Sequence, residues 1–362
     1  MRPTFRCALA CASLALFAAL PSAASAKGTA PTTPTTPATS APVPATPAPV
    51  PSAPAQAAGK IQLVLQKVGG SPTFAIAGRR FVVRGIVIPY VAGQTVKVSI
   101  YRGGRKIGVQ TVSVLPVGNG AGQFHLGITS HQSGLIGVRA AHYATPQQAA
   151  FSGRSPSLRV VNPNVGPGSS GLSVRTLQSE LWNLHYFVPV NGVFDEATGR
   201  ALIAYRKMEN LNRIAYSGSE VFARLIHGFG GFPVKYRHDG RHVEANLTKQ
   251  VLAEIEPGGR VHAIYTMSSG KPSTPTVIGR FQVYSKTPGT NSEGMVDSNY
   301  FIRGYAIHGY AEVPTYAASH GCLRVPIPNA AAIYSWVQYG TPVDVYNESG
   351  GGSTKVRGNA GP

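Results

Sequence analysis

The spacing of the apolar residues changes twice along this chain, and that spacing limits the folds available to it. From Lys60 to about Val161, apolar and polar residues alternate, which is the period of a half-buried β-strand. From about Val165 to Gly228, apolar residues recur every three or four positions, as in an amphipathic helix. The two-residue period returns at His242. The sequence therefore predicts a multidomain chain in the order all-β, helical and mainly β.

The first patterned segment, residues 60–162, contains about seven short strand-like runs, as is typical of an immunoglobulin-like β-sandwich. Two of these runs flank Gly103-Gly104, a pair that favours a tight hairpin turn. No metal-ligand spacing relates the histidines of this segment, which are His125, His131 and His142. We interpret the segment as a spacer or an adhesion module.

Both ends of the chain differ in composition from its centre. Residues 1–26 combine two arginines, an apolar run and a small-residue motif, which predicts an export signal cleaved before Lys27. Residues 27–59 are mainly proline, threonine and alanine and cannot bury enough surface to fold, so we expect a disordered, semi-stiff linker. Residues 349–362 are rich in glycine and are predicted to form a disordered tail. We expect a secreted, wall-associated protein without stable membrane insertion after cleavage.

The chain is strongly basic, with 33 Lys+Arg against 14 Asp+Glu and a formal net charge of +19. Such a charge favours a polyanionic partner or serves solubility. An exported protein seldom meets nucleic acid, so we do not expect nucleic acid as a partner. Anionic polymers of the cell wall, including the carboxylates of peptidoglycan stem peptides, fit the predicted compartment better.

The helical segment, residues 165–228, is predicted to form a small three-helix core. Ser173 and Asp195 are the expected N-caps of its first two helices. Its apolar and turn residues follow the order Val174-x-x-Leu177-Gln178-x-x-Leu181, then Asn191-Gly192-x-Phe194-Asp195-x-x-Thr198. This order resembles the bacterial peptidoglycan-binding domain of the three-helix type. The alternative is a helical spacer without a ligand.

The last segment, residues 242–347, is predicted to be mainly β, with a three-stranded meander at its start and one helix over Asn329–Gln338. Between two of its strands, Tyr284 to Asn299 contains two glycines, Gly289 and Gly294, and few large apolar residues. We expect this stretch to form a flap over the site described next.

The chain has three cysteines, of which Cys7 and Cys11 lie in the predicted signal. Cysteines of exported proteins usually pair, so a lone Cys322 indicates either chance or chemical reactivity. A nucleophilic cysteine needs a base to take its proton and N–H donors for the developing oxyanion. His308 ends a predicted strand and could supply the base, while the backbone amides around Gly321 could supply the donors. The alternative is a buried structural cysteine.

The residues that carry this chemistry form two short elements, His308-Gly309 and Ser319-His320-Gly321-Cys322-Leu323-Arg324. They resemble the L,D-transpeptidase catalytic domain of the YkuD type. Sortase-like enzymes usually separate histidine and cysteine further, and papain-like hydrolases place the cysteine first. No His-x-x-x-His or comparable carboxylate set supports a zinc peptidase, and the resemblance implies no cofactor.

The resemblance implies a role for each matched residue. Cys322 is the nucleophile, His308 the general base and acid, and the Gly309 carbonyl orients the His308 ring. The backbone amides of His320, Gly321 and Cys322 are the expected oxyanion donors. Arg324 and Ser319 are the candidates for substrate binding, although Arg324 could instead form a structural salt bridge and Ser319 could stabilise a turn.

The implied reaction begins with attack on a peptidoglycan tetrapeptide stem and release of D-Ala. Transfer to the amine of a second stem then gives a 3-3 cross-link. The alternatives are an L,D-carboxypeptidase, in which water takes the place of that amine, and a wall-binding protein without catalysis.

Overall fold

The computed structural model describes residues 56–350 of the chain. The predicted signal, most of the predicted linker and most of the predicted tail lie outside these residues. The last part of the predicted linker lies inside them and is paired: the Ala57 N–H donates to the Gln147 carbonyl at 3.1 Å, and the Ala57 carbonyl accepts from Ala149 at 3.1 Å. Within residues 56–350, no helix is long and apolar enough to cross a membrane.

The N-terminal part contains ten strands, more than the seven expected, because several of them are only three or four residues long. Their order is β1-β3-β7-β6 in a four-stranded sheet and β2-β10-β8-β4-β5 in a six-stranded sheet, where β9 pairs with β8. The buried side chains of both sheets form one apolar core. The strands are β1 Lys60–Gln66, β2 Phe74–Ile76, β3 Arg80–Ile88, β4 Thr95–Arg102, β5 Arg105–Ser113, β6 Leu115–Gly118, β7 Ala121–Thr129, β8 Gly134–His142, β9 Phe151–Arg154 and β10 Leu158–Val161.

The hairpin predicted at Gly103-Gly104 is confirmed. Strands β4 and β5 pair antiparallel, and Arg102 lies opposite Arg105 across the two-residue turn. Both glycines have positive φ, at 54° and 85°. This conformation suits a turn that follows the twist of the strands, and glycine adopts it without a side-chain clash.

Three helices follow the strands: α1 Leu172–Asn183, α2 Glu196–Met208 and α3 Ser219–Leu225. The Asp195 cap is confirmed, because its carboxylate accepts from the Thr198 N–H at 2.8 Å. The Ser173 cap is wrong. The N-cap residue of α1 is Gly171, and the Ser173 hydroxyl instead accepts from the Asn162 N–H at 2.9 Å.

The helices do not have a core of their own. One continuous cluster of buried side chains includes Phe74 of β2 and Val161 of β10, the inner faces of all three helices, and Val251 and Ile264 from the last part of the chain. The helical segment is therefore packed between the other two parts. This cluster is separate from the core of the first two sheets and from the core of the last two, and it joins the helices to one edge of each neighbouring part.

The C-terminal part contains two sheets that share a core with one helix. The first sheet has the order β13-β12-β11-β19-β14 and begins with the predicted meander; the second has the order β15-β16-β17-β18. The helix, predicted over residues 329–338, begins and ends two residues earlier. The elements are β11 His242–Asn246, β12 Val251–Glu256, β13 Arg260–Thr266, β14 Gly279–Gln282, β15 Ser285–Thr290, β16 Val296–Ile302, β17 Tyr305–Tyr310, β18 Leu323–Pro326, α4 Ile327–Trp336 and β19 Pro342–Tyr346.

Candidate active site

The parallel pairing of β17 with β18 brings the two sequence motifs together. Ile307 lies opposite Leu323, and His308 lies opposite Arg324. Ile307 and Leu323 are both fully buried in the core. Because neighbouring residues of a strand point to opposite faces, His308 and Arg324 share the other face. Cys322 precedes β18 by one residue and lies two residues before Arg324, the residue opposite His308, so it is a diagonal neighbour of His308.

The His308 ring is held in one tautomer by its neighbour in the chain. Its Nδ1 lies 2.9 Å from the Gly309 carbonyl oxygen. A carbonyl can only accept, so Nδ1 carries the proton and Nε2 has a free lone pair. Burial of the ring lowers the pKa of His308 to about 4, and the nearby charge of Arg324 acts in the same direction. His308 is therefore neutral at pH 7 and can accept a proton at Nε2.

Cys322 is the free cysteine of residues 56–350 and is half-buried. Its Sγ lies 3.7 Å from the Gly304 carbonyl oxygen, in the turn between β16 and β17. Burial raises the pKa of the Cys322 thiol, against the opposing effects of the Ala306 backbone and the Arg324 charge. The resting site therefore holds a neutral thiol and a neutral imidazole, and the proton moves only when the thiol attacks.

The turn before Cys322 is tied together by Ser319. The Ser319 hydroxyl donates to the Cys322 carbonyl at 2.6 Å and accepts from the Gly321 N–H at 3.1 Å. Ser319 is fully buried. We therefore assign Ser319 to shaping this turn, since its hydroxyl is occupied and has no exposed surface for the predicted substrate contact.

Gly321 is required by this turn for two reasons. Its φ is +123°, a value that side chains rarely allow. A Cβ atom there would lie 2.0 Å from Cε1 of Tyr305. The Gly321 N–H already donates to the Ser319 hydroxyl. Gly321 could therefore act as the predicted oxyanion donor only if this hydrogen bond breaks. The Cys322 and His320 amides remain the stronger candidates.

Arg324 lies on the same face with its guanidinium group over the Tyr310 ring, 4.0 Å from the centroid. The Tyr310 ring also meets the His308 ring edge-on, with centroids 5.7 Å apart. Arg324 forms no ion pair with a carboxylate in the part of the chain that the structure describes. The structural salt bridge considered as an alternative is thus absent there, and the guanidinium can bind an anionic group.

A short extended segment supports the turn before Cys322 from the other side. Ser268 exchanges two backbone hydrogen bonds of 2.9 Å with Arg324. The Ser269 carbonyl accepts from the N–H groups of Ala318 and Ser319, at 2.8 and 2.9 Å. The position of Cys322 therefore depends on residues more than fifty positions earlier in the chain.

A buried lysine of α2 fixes the start of that segment. Lys207 is 1% exposed, and its ammonium donates to the Gln250 carbonyl, the Thr266 hydroxyl and the Met267 carbonyl at 2.7–3.0 Å. The Gln250 side chain in turn makes two hydrogen bonds to Ser269. Burial lowers the pKa of Lys207 to about 7. The three acceptors around its Nζ atom act in the opposite direction, because only the ammonium form has three N–H groups to donate.

The predicted flap over Tyr284 to Asn299 is a β-hairpin within the sheet. Its strands are β15 and β16, and β16 pairs directly with β17, the strand that carries His308. The tip of the hairpin lies beside Tyr310, since a Cβ at Gly294 would be 3.7 Å from that ring. Removing the hairpin would expose an edge of the catalytic strand, so deletion would not test a lid function.

Sequence reasoning missed several residues that shape the site, namely Tyr310, Gly304, Ser268, Ser269 and Lys207. One of them had a usable signal: Tyr310 is two residues after His308 in a strand and must share its face. The others act through backbone atoms or through contacts between distant segments, which leave no local pattern.

The neutral resting state predicts a specific pH dependence. The rate of Cys322 acylation is expected to stay nearly constant from about pH 5 to pH 8 and to fall about tenfold per unit below about pH 4. The reason is that His308, with a pKa of about 4, accepts a proton only in its neutral form. Time-resolved intact-mass spectrometry with a carbapenem, which the resemblance to L,D-transpeptidases predicts will acylate Cys322, checks this profile. An acid limb near pH 6.5 would show instead that the ring is solvated.

Comparison with known proteins identifies the family of the catalytic part. Residues 240–345 match the YkuD family, described as the L,D-transpeptidase catalytic domain. An L,D-transpeptidase from Xylanimonas cellulosilytica is 34% identical over 51% of this chain and 98% of its own chain, with a TM-score of 0.47. The chain belongs to the L,D-transpeptidase family. The predicted resemblance is thereby confirmed for the catalytic part.

Two other solved L,D-transpeptidases are more distant. The enzyme from Stackebrandtia nassauensis is 18% identical and covers 52% of this chain and 98% of its own, with a TM-score of 0.34. The C442S mutant of the Enterococcus faecium L,D-transpeptidase is 27% identical and covers 30% of this chain and 50% of its own, with a TM-score of 0.27. No curated protein matches this L,D-transpeptidase.

Proposed function

We propose that this L,D-transpeptidase acts outside the cytoplasm and forms 3-3 cross-links in peptidoglycan through a thioester on Cys322. The observation that carries the proposal is the His308 tautomer. Donation from Nδ1 to the Gly309 carbonyl at 2.9 Å leaves a basic Nε2 on the face that also holds Arg324, diagonally across from Cys322.

In the first half-reaction, the Cys322 sulfur attacks the carbonyl of the third residue of a tetrapeptide stem. His308 Nε2 takes the thiol proton, and the amides of Cys322 and His320 hold the oxyanion, with Gly321 joining if its bond to Ser319 opens. The tetrahedral intermediate collapses with cleavage of the amide bond, and His308 returns the proton to the departing D-Ala amine.

In the second half-reaction, the side-chain amine of another stem attacks the thioester. His308 accepts a proton from this amine, the new amide bond forms, and the sulfur leaves and is reprotonated by His308. Arg324 supports the reaction by holding a stem carboxylate, because its guanidinium has no carboxylate partner within residues 56–350.

The other parts of the chain are assigned supporting roles. We infer that the first two sheets form an immunoglobulin-like spacer and that the helical segment contacts peptidoglycan, consistent with its sequence pattern. The export signal predicted at residues 1–26 would deliver the enzyme to its substrate, and the net charge of +19 would favour retention by anionic wall polymers.

Covalent labelling tests the proposed nucleophile. A carbapenem should add one acyl adduct to the full-length wild-type protein and none to a Cys322→Ala variant, as measured by intact-mass spectrometry. Absence of any adduct on the wild type would favour a wall-binding protein without catalysis.

Product analysis tests the reaction itself. Incubation of the enzyme with purified disaccharide-tetrapeptide should give 3-3 linked dimers and free D-Ala, identified by mass. Accumulation of disaccharide-tripeptide without dimers would instead identify an L,D-carboxypeptidase.

A further inference from the structure

A cleft of about 530 Å³ lies between helix α2 and the catalytic part of the molecule. The helical side contributes apolar side chains, one arginine and two acids, Asp195 and Glu196, and the catalytic side contributes mostly apolar residues. Among the residues that line it are Phe194, Arg200, Ile203, Tyr310, Val313 and Ile327.

The cleft is continuous with the reactive face through Tyr310. This residue lines the cleft, and its ring also contacts the His308 ring and the Arg324 guanidinium. Tyr310 pairs with Pro326, four residues after Cys322, so the entrance lies roughly 13 Å along the strand from the nucleophile. A stem attached to Cys322 by its third residue continues through that residue and two more before the sugar, so these three residues span at most about 10–11 Å when extended. The Tyr310 ring shortens the remaining distance, because it lies against the guanidinium of Arg324, two residues after Cys322. The sugar-proximal end of the stem therefore comes to the mouth of the cleft.

Arg200 gives the cleft a preference for an anionic group. Its side chain is 19% exposed, and its Nε has no hydrogen-bond partner among the described residues. Its ion pair is with Glu196 at 3.5 Å, and the Glu196 side chain is 94% exposed. Such an exposed ion pair contributes little free energy, so a ligand can readily displace Glu196 from Arg200. A ligand carboxylate could therefore replace Glu196 and engage Arg200 through two N–H groups.

The second acid of the cleft does not compete for Arg200. Both oxygens of Asp195 are occupied: Oδ1 accepts from the Thr198 N–H at 2.8 Å, and Oδ2 accepts from the Asn191 amide at 3.1 Å. The apolar wall formed by Phe194, Ile203 and Val313 suits methyl groups, and stem peptides combine alanine methyls with carboxylates.

We propose that this cleft is a subsite for the glycan-proximal part of a peptidoglycan stem peptide, with Arg200 binding one of its carboxylates. The inference rests on the proposed function for the identity of the substrate. On this proposal the helical segment forms one wall of the substrate site. Helix α2 would then make the enzyme prefer a stem that is still attached to its sugar over a shorter peptide.

Kinetics with a large and a small substrate test the subsite. The Arg200→Gln variant should raise KM for disaccharide-tetrapeptide about 10- to 100-fold, because a hydrogen bond to a charged group contributes about 1.5–3 kcal/mol. Its kcat should stay unchanged. The rate of carbapenem acylation should also be unchanged, since a carbapenem is too small to reach the cleft.

Two matched variants complete the design. Arg224→Gln removes a comparable arginine on α3, which pairs with Glu209 outside the cleft, and should leave KM unchanged. Ile203→Trp fills the cleft without altering charge and should raise KM as Arg200→Gln does. A KM within twofold of wild type for both Arg200→Gln and Ile203→Trp overturns the proposal.

Direct binding separates this subsite from the proposed function. In the Cys322→Ala background, which cannot react, calorimetry should give a Kd for disaccharide-tetrapeptide at least about tenfold weaker after Arg200→Gln. If the wild type fails to process this substrate yet the Kd shift is present, the proposed function is wrong and the subsite stands. If turnover is normal but Kd and KM do not shift, only the subsite is wrong.

Discussion

Replacing His308 with glutamine is expected to lower the rate of Cys322 acylation by about 10²–10⁴-fold. Glutamine has a similar size and can still donate to the Gly309 carbonyl, so the buried packing around this position is preserved. What it lacks is a basic lone pair where Nε2 stands. Because burial raises the pKa of the Cys322 thiol, little thiolate exists at pH 7 without a base. Time-resolved intact-mass spectrometry with a carbapenem measures the loss.

The matched control is His125→Gln, which changes an exposed histidine on β7 by the same substitution. This variant should acylate at the wild-type rate, and both variants should unfold at wild-type denaturant concentrations. An acylation rate for His308→Gln within threefold of wild type would mean that another group takes the thiol proton.

Replacing Lys207 with methionine is expected to lower the free energy of unfolding by about 3 kcal/mol, the cost of leaving buried acceptors without donors. Methionine fills the space of the lysine stem but donates to none of the three acceptors, at Gln250, Thr266 and Met267. Acylation should also slow, because Gln250 and Met267 border the Ser268–Ser269 segment that holds the catalytic turn. Denaturant unfolding and carbapenem acylation measure the two effects.

Lys97→Met provides the comparison, since Lys97 is exposed on β4. A surface substitution of this kind should change stability by no more than about 0.5 kcal/mol. Equal stability of the Lys207 and Lys97 variants would show that the three hydrogen bonds of Lys207 do not contribute net stability.

The sequence predicted the order of the structural segments and the residues of the reactive face. Period-two patterning is local, and it is enough to predict a strand that ends at His308. The parallel pairing of β17 with β18, which puts His308 and Arg324 on one face, comes from the structure alone. The tight turn at Gly103-Gly104 and the cap at Asp195 also follow from residues within a few positions of each other. Predictions of this kind depend on short-range geometry.

Features that depend on contacts between distant segments were missed. Lys207 follows Arg206 near the end of a helix, where basic residues are ordinarily solvated and favourable to the helix dipole. Its acceptors are 43 to 60 residues away, and nothing near Lys207 in the sequence indicates them. Ser173 was misassigned for a similar reason, since its hydroxyl is used by Asn162 in the preceding loop.

The interior shared by β2 and β10, the three helices and β12–β13 has a consequence for how this protein can change over generations. A gene fusion that exchanged the helical segment for an unrelated one would expose apolar side chains of the N-terminal sheets and of the C-terminal part to solvent. We therefore expect recombination between genes to preserve this fold mainly when it moves all three parts together. Exchange of a single part would succeed only with simultaneous replacement of the side chains that it touches on either side.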